Sequence, residues 1–556
     1  MKRIGPFLLV AAACAAQVVT GVANVADARN TVLAPGALFF VSGTGLGPSQ
    51  TFRIAPPYPA AIGPYSIALR SIATGTETLM LLYSVQAGGT VAIVPSAVPV
   101  GDYELIYIAG TTRSRPFPVN VAKRSLSVFT LSGDGTGPAQ ASAAGKAVAF
   151  LNPVKPGQQV TLVGTGVGAT PGSDPRADAR PLEVDVQVLV GKKSVETVAV
   201  SRSGVSAAID EIRFVMPDDA EVGEGCYVPV RVKVEGAWAN PVTLAKANQE
   251  SKCAHPLGVS ETVLRKLDAD ADLVLGNFSL TRRSIDIDVP NRQETRKTLF
   301  ALGRFFLGDG ALLLSTNGRE DASGLAENEC TVAAASFNNT ANQSIDEVML
   351  NVVNSRPVFR EATPLDGGSL AQVTTPAAVA IRLPLISQDG TLLGALDESD
   401  PAQGSAITAG EWKVEWVGGT QLAAGRATLA VAETEPLVWA QKLGTIDATA
   451  ALPLEWAKSD AVTSKVAVFG LFLAPGGGNT IAFATFSCRP TGRAFLVPES
   501  VMARMPAAES GRAWIGLSAF GAGAPFTVDY RNGLGQSDFA RFAQEFVLVN
   551  VREYKR

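Results

Sequence analysis

The sequence predicts an all-β protein, with tandem immunoglobulin-like β-sandwiches followed by a larger β-rich region that has room for two further sandwich subdomains. Three observations carry that reading. First, Ala34-Pro35-Gly36 through Gly43-Thr44-Gly45-Leu46-Gly47 is answered 121 positions later by Lys155-Pro156-Gly157 through Gly164-Thr165-Gly166-Val167-Gly168, the mark of a duplicated module. Second, valines recur at every second position, 184, 186, 188 and 190 and again 228, 230, 232 and 234, as strands with one dry face require. Third, 54 Gly and 34 Pro in 556 residues favour many short strands and turns over long helices.

The N-terminus reads as an export signal. Met1-Lys2-Arg3 is basic, Ile4 to Ala13 is apolar, and small residues follow, so residues 1–16 read as a signal peptide cleaved near Ala15. Lipidation at Cys14 is the lesser alternative, because Ala11 stands where such signals usually carry Leu. The expected location is therefore secreted or cell-surface, with no transmembrane segment.

Residues 22–123 form the first expected sandwich and 124–255 the second. The repeat continues beyond its glycines: Val91 to Pro95 corresponds to Arg213 to Pro217 at an offset of 122, and Pro118-Val119 to Pro241-Val242 at 123. Small loop insertions produce such a drift. Each module then has roughly 100–130 residues, the size of an immunoglobulin-like domain. Pro229 interrupts the Val228–Val234 alternation and implies an edge strand or a bulge.

Residues 256–445 and 446–556 are expected as two β-rich stretches divided near the Gly/Ala-rich segment 440–451. Ser260 to Leu267 and Glu499 to Met505 read as short helices, Trp412-Val414-Trp416 as one strand face, and Asn532-Gly533 as a hairpin turn.

The Asn24, Leu33 to Gly36 and Gly43 to Gly47 start resembles the duplicated module of a large family of secreted proteins common in soil acidobacteria. So do the Pro153 to Gly168 repeat and Gly225-Cys226-Tyr227-Val228-Pro229-Val230. Those modules are similar to the IPT/TIG type of immunoglobulin-like fold, and the resemblance covers about residues 22–255. More weakly, Glu329 to Val332, Phe486 to Cys488 and Phe495 to Pro498 resemble the tail of the same group. The opening departs from the family, with Asn24-Val25-Ala26-Asp27-Ala28 in place of its usual start. The resemblance implies fold and export and carries no activity.

Once Cys14 leaves with the signal, Cys226, Cys253, Cys330 and Cys488 remain, an even number suited to disulfides in an exported chain. Three connectivities are open, and Cys226–Cys253 with Cys330–Cys488 is favoured. The first would close a loop of about 28 residues, worth about 3–4 kcal/mol in the chain-entropy model.

Chemistry-bearing motifs are sparse. His255 is the only histidine, so a Ser-His-Asp triad has one possible centre, and it reads as a surface linker residue. With Cys253 it lacks further zinc ligands. The Gly-Thr-Gly-x-Gly turns are followed by loop rather than by a helix N-terminus, so they read as turns and not as phosphate cradles. Asp268, Asp270 and Asp272 open like a calcium loop, but Leu273 stands where glycine is needed and no glutamate stands at the twelfth position. Asp397 to Asp400 is an acidic loop. No catalytic, cofactor or metal residues are nominated.

Trp412 and Trp416 could stack on sugar rings if exposed; a buried pair explains the same pattern and is the preferred reading. A net charge of −4 without basic clusters argues against nucleic acid. The expected function is non-enzymatic: extracellular binding, adhesion or surface scaffolding, with a polysaccharide or protein ligand. The alternative is a carbohydrate-active enzyme or carbohydrate-binding protein whose site lies in 256–556.

Overall fold

The computed structural model describes residues 17–556 apart from 171–173, 175, 177–178, 205–207, 219–221, 311–312, 314–326, 340–341, 355–361, 387–389, 477–479 and 534. The expected signal peptide and Cys14 lie outside the described residues. Strands account for about 53% and helices for about 5% of the chain, so the class is all-β. The chain divides into two compact units, one containing residues up to 148 and 152–251, the other 149–151 and 252–556.

The first unit holds two sandwiches. In the first, a sheet ordered Val18–Asn24, Leu38–Thr44, Gly89–Ile93, Leu81–Gln86, Phe52–Arg53 faces a second sheet built on Gly101–Ala109 and Tyr65–Ser71. Phe39, Val41, Ile67, Leu69, Leu82, Leu105 and Tyr107 fill the space between them. The second sandwich repeats the plan, with Gln159–Thr165 and Asp210–Val215 in one sheet and Val186–Val190 and Gly225–Val234 in the other.

The drift in the sequence offset is reproduced in the strand register. Leu38 pairs with Ile93, and their counterparts 121 and 122 positions on, Gln159 and Val215, pair with each other. Gly36 and Gly157 take nearly the same backbone angle, φ +73° and +75°, which only glycine adopts without strain.

The Val228–Val234 alternation is real. All four valines are buried, but Pro229 is not on an edge strand. Gly225–Val234 has strands on both sides, and the proline follows a register shift between Gly225 and Val228, the bulge alternative for accommodating a missing N–H.

The second unit is organised by one ten-stranded sheet. Its order runs Cys330–Asn338, Thr480–Cys488, Ala467–Pro475, Gly511–Phe526, Phe539–Lys555, Leu273–Val289, Arg292–Gly308, Thr363–Pro364, with Leu392–Asp397 and Ile446–Asp447 added alongside. One face packs under a four-stranded sheet through Phe278, Leu280, Phe542 and Trp416. The same face packs under a three-stranded sheet through Val468, Phe472, Ile515, Leu517 and Trp456. On the opposite face, Ile285, Ile287, Val549 and Val551 meet Met349 of the helix Ile345–Asn354.

That continuous sheet corrects the expected division at 445/446. Leu273–Val289 lies parallel to Phe539–Lys555 over its whole middle, so 256–445 and 446–556 form one unit. The Gly/Ala-rich segment is no linker either: Leu443, Ile446 and Ala448 are core residues. Buried Arg552 donates from Nε to the Leu443 carbonyl and from Nη1 to the Asp286 carbonyl.

The short helices occur at Glu261–Asp268, N-capped by Ser260, and at Glu499–Met502. Asn532-Gly533 turns a loop wider than two residues, closed between Tyr530 and Gly535.

Candidate functional site

The residues weighed for chemistry and set aside on sequence grounds are mostly engaged in holding the fold. His255 is only 8% exposed, which corrects its expected surface position. Its Nδ1 accepts from the Leu257 N–H, and its ring meets Phe150 edge-on. The Asp268 carboxylate accepts from the backbone N–H of both Phe150 and Leu151. In the acidic loop, Asp400 caps the helix Pro401–Gly404 and Glu398 pairs with Arg282. The repeat glycines Gly45, Gly166 and Gly168 have φ of +69°, +108° and +125°, as turns demand.

The exposed-strip alternative for Trp412 and Trp416 is overturned. The two are 1% and 4% exposed, and a ring with no open face cannot stack on a ligand from solvent. Trp416 stacks on Phe278 at 5.5 Å and 26°, touches Phe305 and Phe526, and donates from Nε1 to the Ala423 carbonyl. Trp412 donates likewise to Thr408. Their alternation with Lys413 and Glu415 reports a sandwich core.

Cys330 and Cys488 are joined by a disulfide, on directly paired residues of neighbouring strands. Cys226 and Cys253 are also disulfide-bonded. Among the described residues no helix is long and apolar enough to cross a membrane, and no cluster of three or more His, Cys, Asp or Glu is placed to hold a metal ion.

The second unit carries a cavity of about 230 Å³ bordered by Phe305, Leu365, Asp366, Leu385, Leu392 and Gln421. That is below the roughly 300–1,000 Å³ usual for small-molecule sites. Its one carboxylate, Asp366, accepts from Thr420 N and Oγ1 and from Gly368 N. Those bonds, Thr420 foremost, hold it below the usual carboxylate range. It is a loop brace rather than a proton donor.

A different tryptophan faces solvent. Trp238 is 43% exposed and stands on the short strand Ala237–Trp238, directly opposite Lys233. The valines of Gly225–Val234 take the core side, so Arg231 and Lys233 are left on the outer face with the indole. The Arg231 guanidinium carbon lies 4.8 Å from the ring centre and Lys233 Nζ 5.4 Å, both within cation–π range. Burial pushes Arg231 down to about 10, so it stays charged at neutral pH. Gln187, the cross-strand neighbour of Lys233, donates to Ser194 Oγ on the same face.

The hairpin under Trp238 is tied at both ends. At its tip Glu235 receives Lys123 at 2.6 Å and Arg124 at 3.0 Å, and Lys123 foremost holds its carboxyl below the usual range. Just past the tryptophan, Asn240 exchanges bonds with both backbone groups of Val128 and donates to the Gly135 carbonyl. Sequence reasoning missed this face, since alternation at Val228–Val234 turns Arg231 and Lys233 outward but does not say what covers them. The available signal was Trp238, five residues beyond Lys233 across a Glu235-Gly236 turn.

No family model matches the sequence, and no curated protein matches it. Among solved structures the chain is similar to a tetra-tandem repeat from the extending region of a large adhesion protein, at 14% identity over 95% of this chain and 98% of that one, TM-score 0.13. It is also similar to SGBP-B from a complex xyloglucan utilization locus in Bacteroides uniformis, at 10% identity over 87% and 100%, TM-score 0.16. A third is SGBP-B of the Bacteroides ovatus mixed-linkage glucan utilization locus in complex with a mixed-linkage heptasaccharide, at 10% over 90% and 95%, TM-score 0.13. Likeness at this level carries no functional argument.

Proposed function

We propose that this chain is a non-enzymatic extracellular binding or adhesion protein, exported and held rigid by disulfides. The observation that carries the reading is the accessible Trp238, flanked by two cations on a sheet face braced from both sides. A rigid sandwich that spends no ordering entropy on engagement suits binding. Oxidised cysteines fit an oxidising compartment outside the cytosol. His255 Nδ1 and the Asp366 carboxylate, two candidates for acid–base chemistry, accept backbone hydrogen bonds.

The test is a glycan array probed with the mature protein beside a general glycosidase screen. Specific retention without turnover is expected. Hydrolysis of any polysaccharide would replace this reading with the carbohydrate-active enzyme.

A further inference from the structure

We infer that the Trp238 face of the second sandwich binds an acidic polysaccharide of the polyuronate kind, an inference that rests on the binding reading above and specifies its ligand. An accessible indole on a flat sheet offers an apolar plane to the C–H face of a pyranose ring. That plane alone would suit any sugar. The charges around it select.

Lys123, Arg124, Arg231 and Lys233 lie on or beside this hairpin, while the carboxylates of Glu183, Asp185 and Glu196 line the neighbouring cavity with Gln187. Glu235 is already taken by Lys123 and Arg124. Lys233 is different: among the described residues its ammonium pairs with no carboxylate, and its partner is the Trp238 ring. A cation held against an aromatic ring beside open solvent is placed to receive the carboxylate of a sugar stacked on that ring. Gln187, directly across from Lys233, adds an amide for ring hydroxyls.

Geometry favours a polymer over a single sugar. The indole stands on an exposed two-residue strand rather than inside an enclosed site, so one sugar residue gains little area on it and affinity must accumulate along a chain. It also favours sugar over acidic peptide, because stacking needs a planar apolar ring face as well as charge.

Affinity electrophoresis and calorimetry of the intact mature protein against polygalacturonate, a neutral mannan and polyglutamate test this. Polygalacturonate is expected to bind best, weakening at least tenfold between low and high salt as a charge-assisted contact must. Trp238→Ala should weaken it at least tenfold, Trp238→Phe should restore most of it, and Lys233→Gln should cost severalfold while flattening the salt dependence. The tryptophan and lysine lie on the wet face, so the variants keep the wild-type melting profile, which is checked in parallel. Equal binding of polyglutamate would mean charge alone and overturn the sugar assignment. Binding unaffected by Trp238→Ala, or no polygalacturonate binding, would overturn the site. Retention of the neutral mannan alone would sink the acidic ligand and leave the binding function standing, whereas turnover would remove both.

Discussion

Arg202 and Asp210 form an ion pair sealed from solvent, Nε to Oδ1 at 2.9 Å, and between them they hold both copies of the internal repeat. Arg202 donates from Nη1 to the Gly36 carbonyl at 3.0 Å and from Nη2 to the Gly168 carbonyl at 2.9 Å. Asp210 accepts from the N–H groups of Gly166 and Val167. The two residues are cross-strand partners, so a single hairpin of the second sandwich grips the Pro-Gly turn of the first and the glycine loop of its own. Thr165 adds to the junction, its Oγ1 accepting from Leu38 N and donating to the Ala208 carbonyl.

Removing the cation should therefore cost more than a surface contact. Arg202→Ala leaves Asp210 buried without its partner and releases two carbonyls, a change worth about 3–5 kcal/mol. Burial already pushes the Asp210 carboxyl up, and the variant removes the Arg202 charge that opposes that push. Calorimetry of the intact protein should show the transition of the first unit falling while that of the second stays. A shift below about 1 kcal/mol in both Arg202→Ala and Arg202→Met would mean the pair is not the lock.

Gly36 and Gly157 are equivalent in the repeat yet should not respond alike to substitution. A Cβ at Gly157 meets nothing within 4 Å, so Gly157→Ala bears only the cost of its positive φ, about 1–2 kcal/mol. A Cβ at Gly36 would stand 2.8 Å from the Gly168 carbonyl and 3.0 Å from Arg202 Nη2. Both are fixed by the ion-pair network, so Gly36→Ala adds a clash to the same backbone cost. Parallel urea melts should rank Gly36→Ala clearly below Gly157→Ala; equal losses would show that the junction yields.

Cys330 and Cys488 are separated by 158 residues, which in the chain-entropy model makes their bond worth about 5 kcal/mol to the second unit. Cys330 sits on a strand at the end of the ten-strand order, joined to the body by hydrogen bonds on one side. The double variant Cys330→Ser/Cys488→Ser should lower the second transition in calorimetry and leave the first in place. Its Cys330–Asn338 amides should exchange sooner than those of Leu273–Val289.

How far the sequence could be read follows from how far apart the pairing residues lie. The sandwiches were legible because Pro35-Gly36 and Pro156-Gly157 recur with the same neighbours, and a repeat carries its own register. Local alternation with Asp286 and Asp288 likewise marks Ile285, Ile287 and Val289 as a strand. It could not name their partner, because Ile285 pairs with Val549, and a parallel pairing across that separation leaves no local turn signal. Trp412 and Trp416 show the same limit at a site: period-2 alternation says that they share a face, while only the sheet opposite says whether that face is wet. Trp238 stood beside charged alternating residues, and its exposure was set by a short strand pairing that the sequence marks weakly.

Tyr107 offers a pH test of how the first glycine loop is held. Its hydroxyl donates to the Leu46 carbonyl, inside that loop, and lies 3.2 Å from Thr90 Oγ1. Burial pushes its phenol up to about 12, against about 10 in an unfolded chain. The folded state thus favours the protonated form. Its contribution to stability is fully present below about pH 10 and is lost as pH rises toward about 12. Tyr107→Phe removes the hydroxyl and should cost about 1 kcal/mol at neutral pH. The gap between wild type and variant should then narrow above about pH 10, as urea melts across the alkaline range would record. A gap that held constant to pH 12 would mean that the hydroxyl is reached by solvent, and that the loop is held by its glycines and backbone alone.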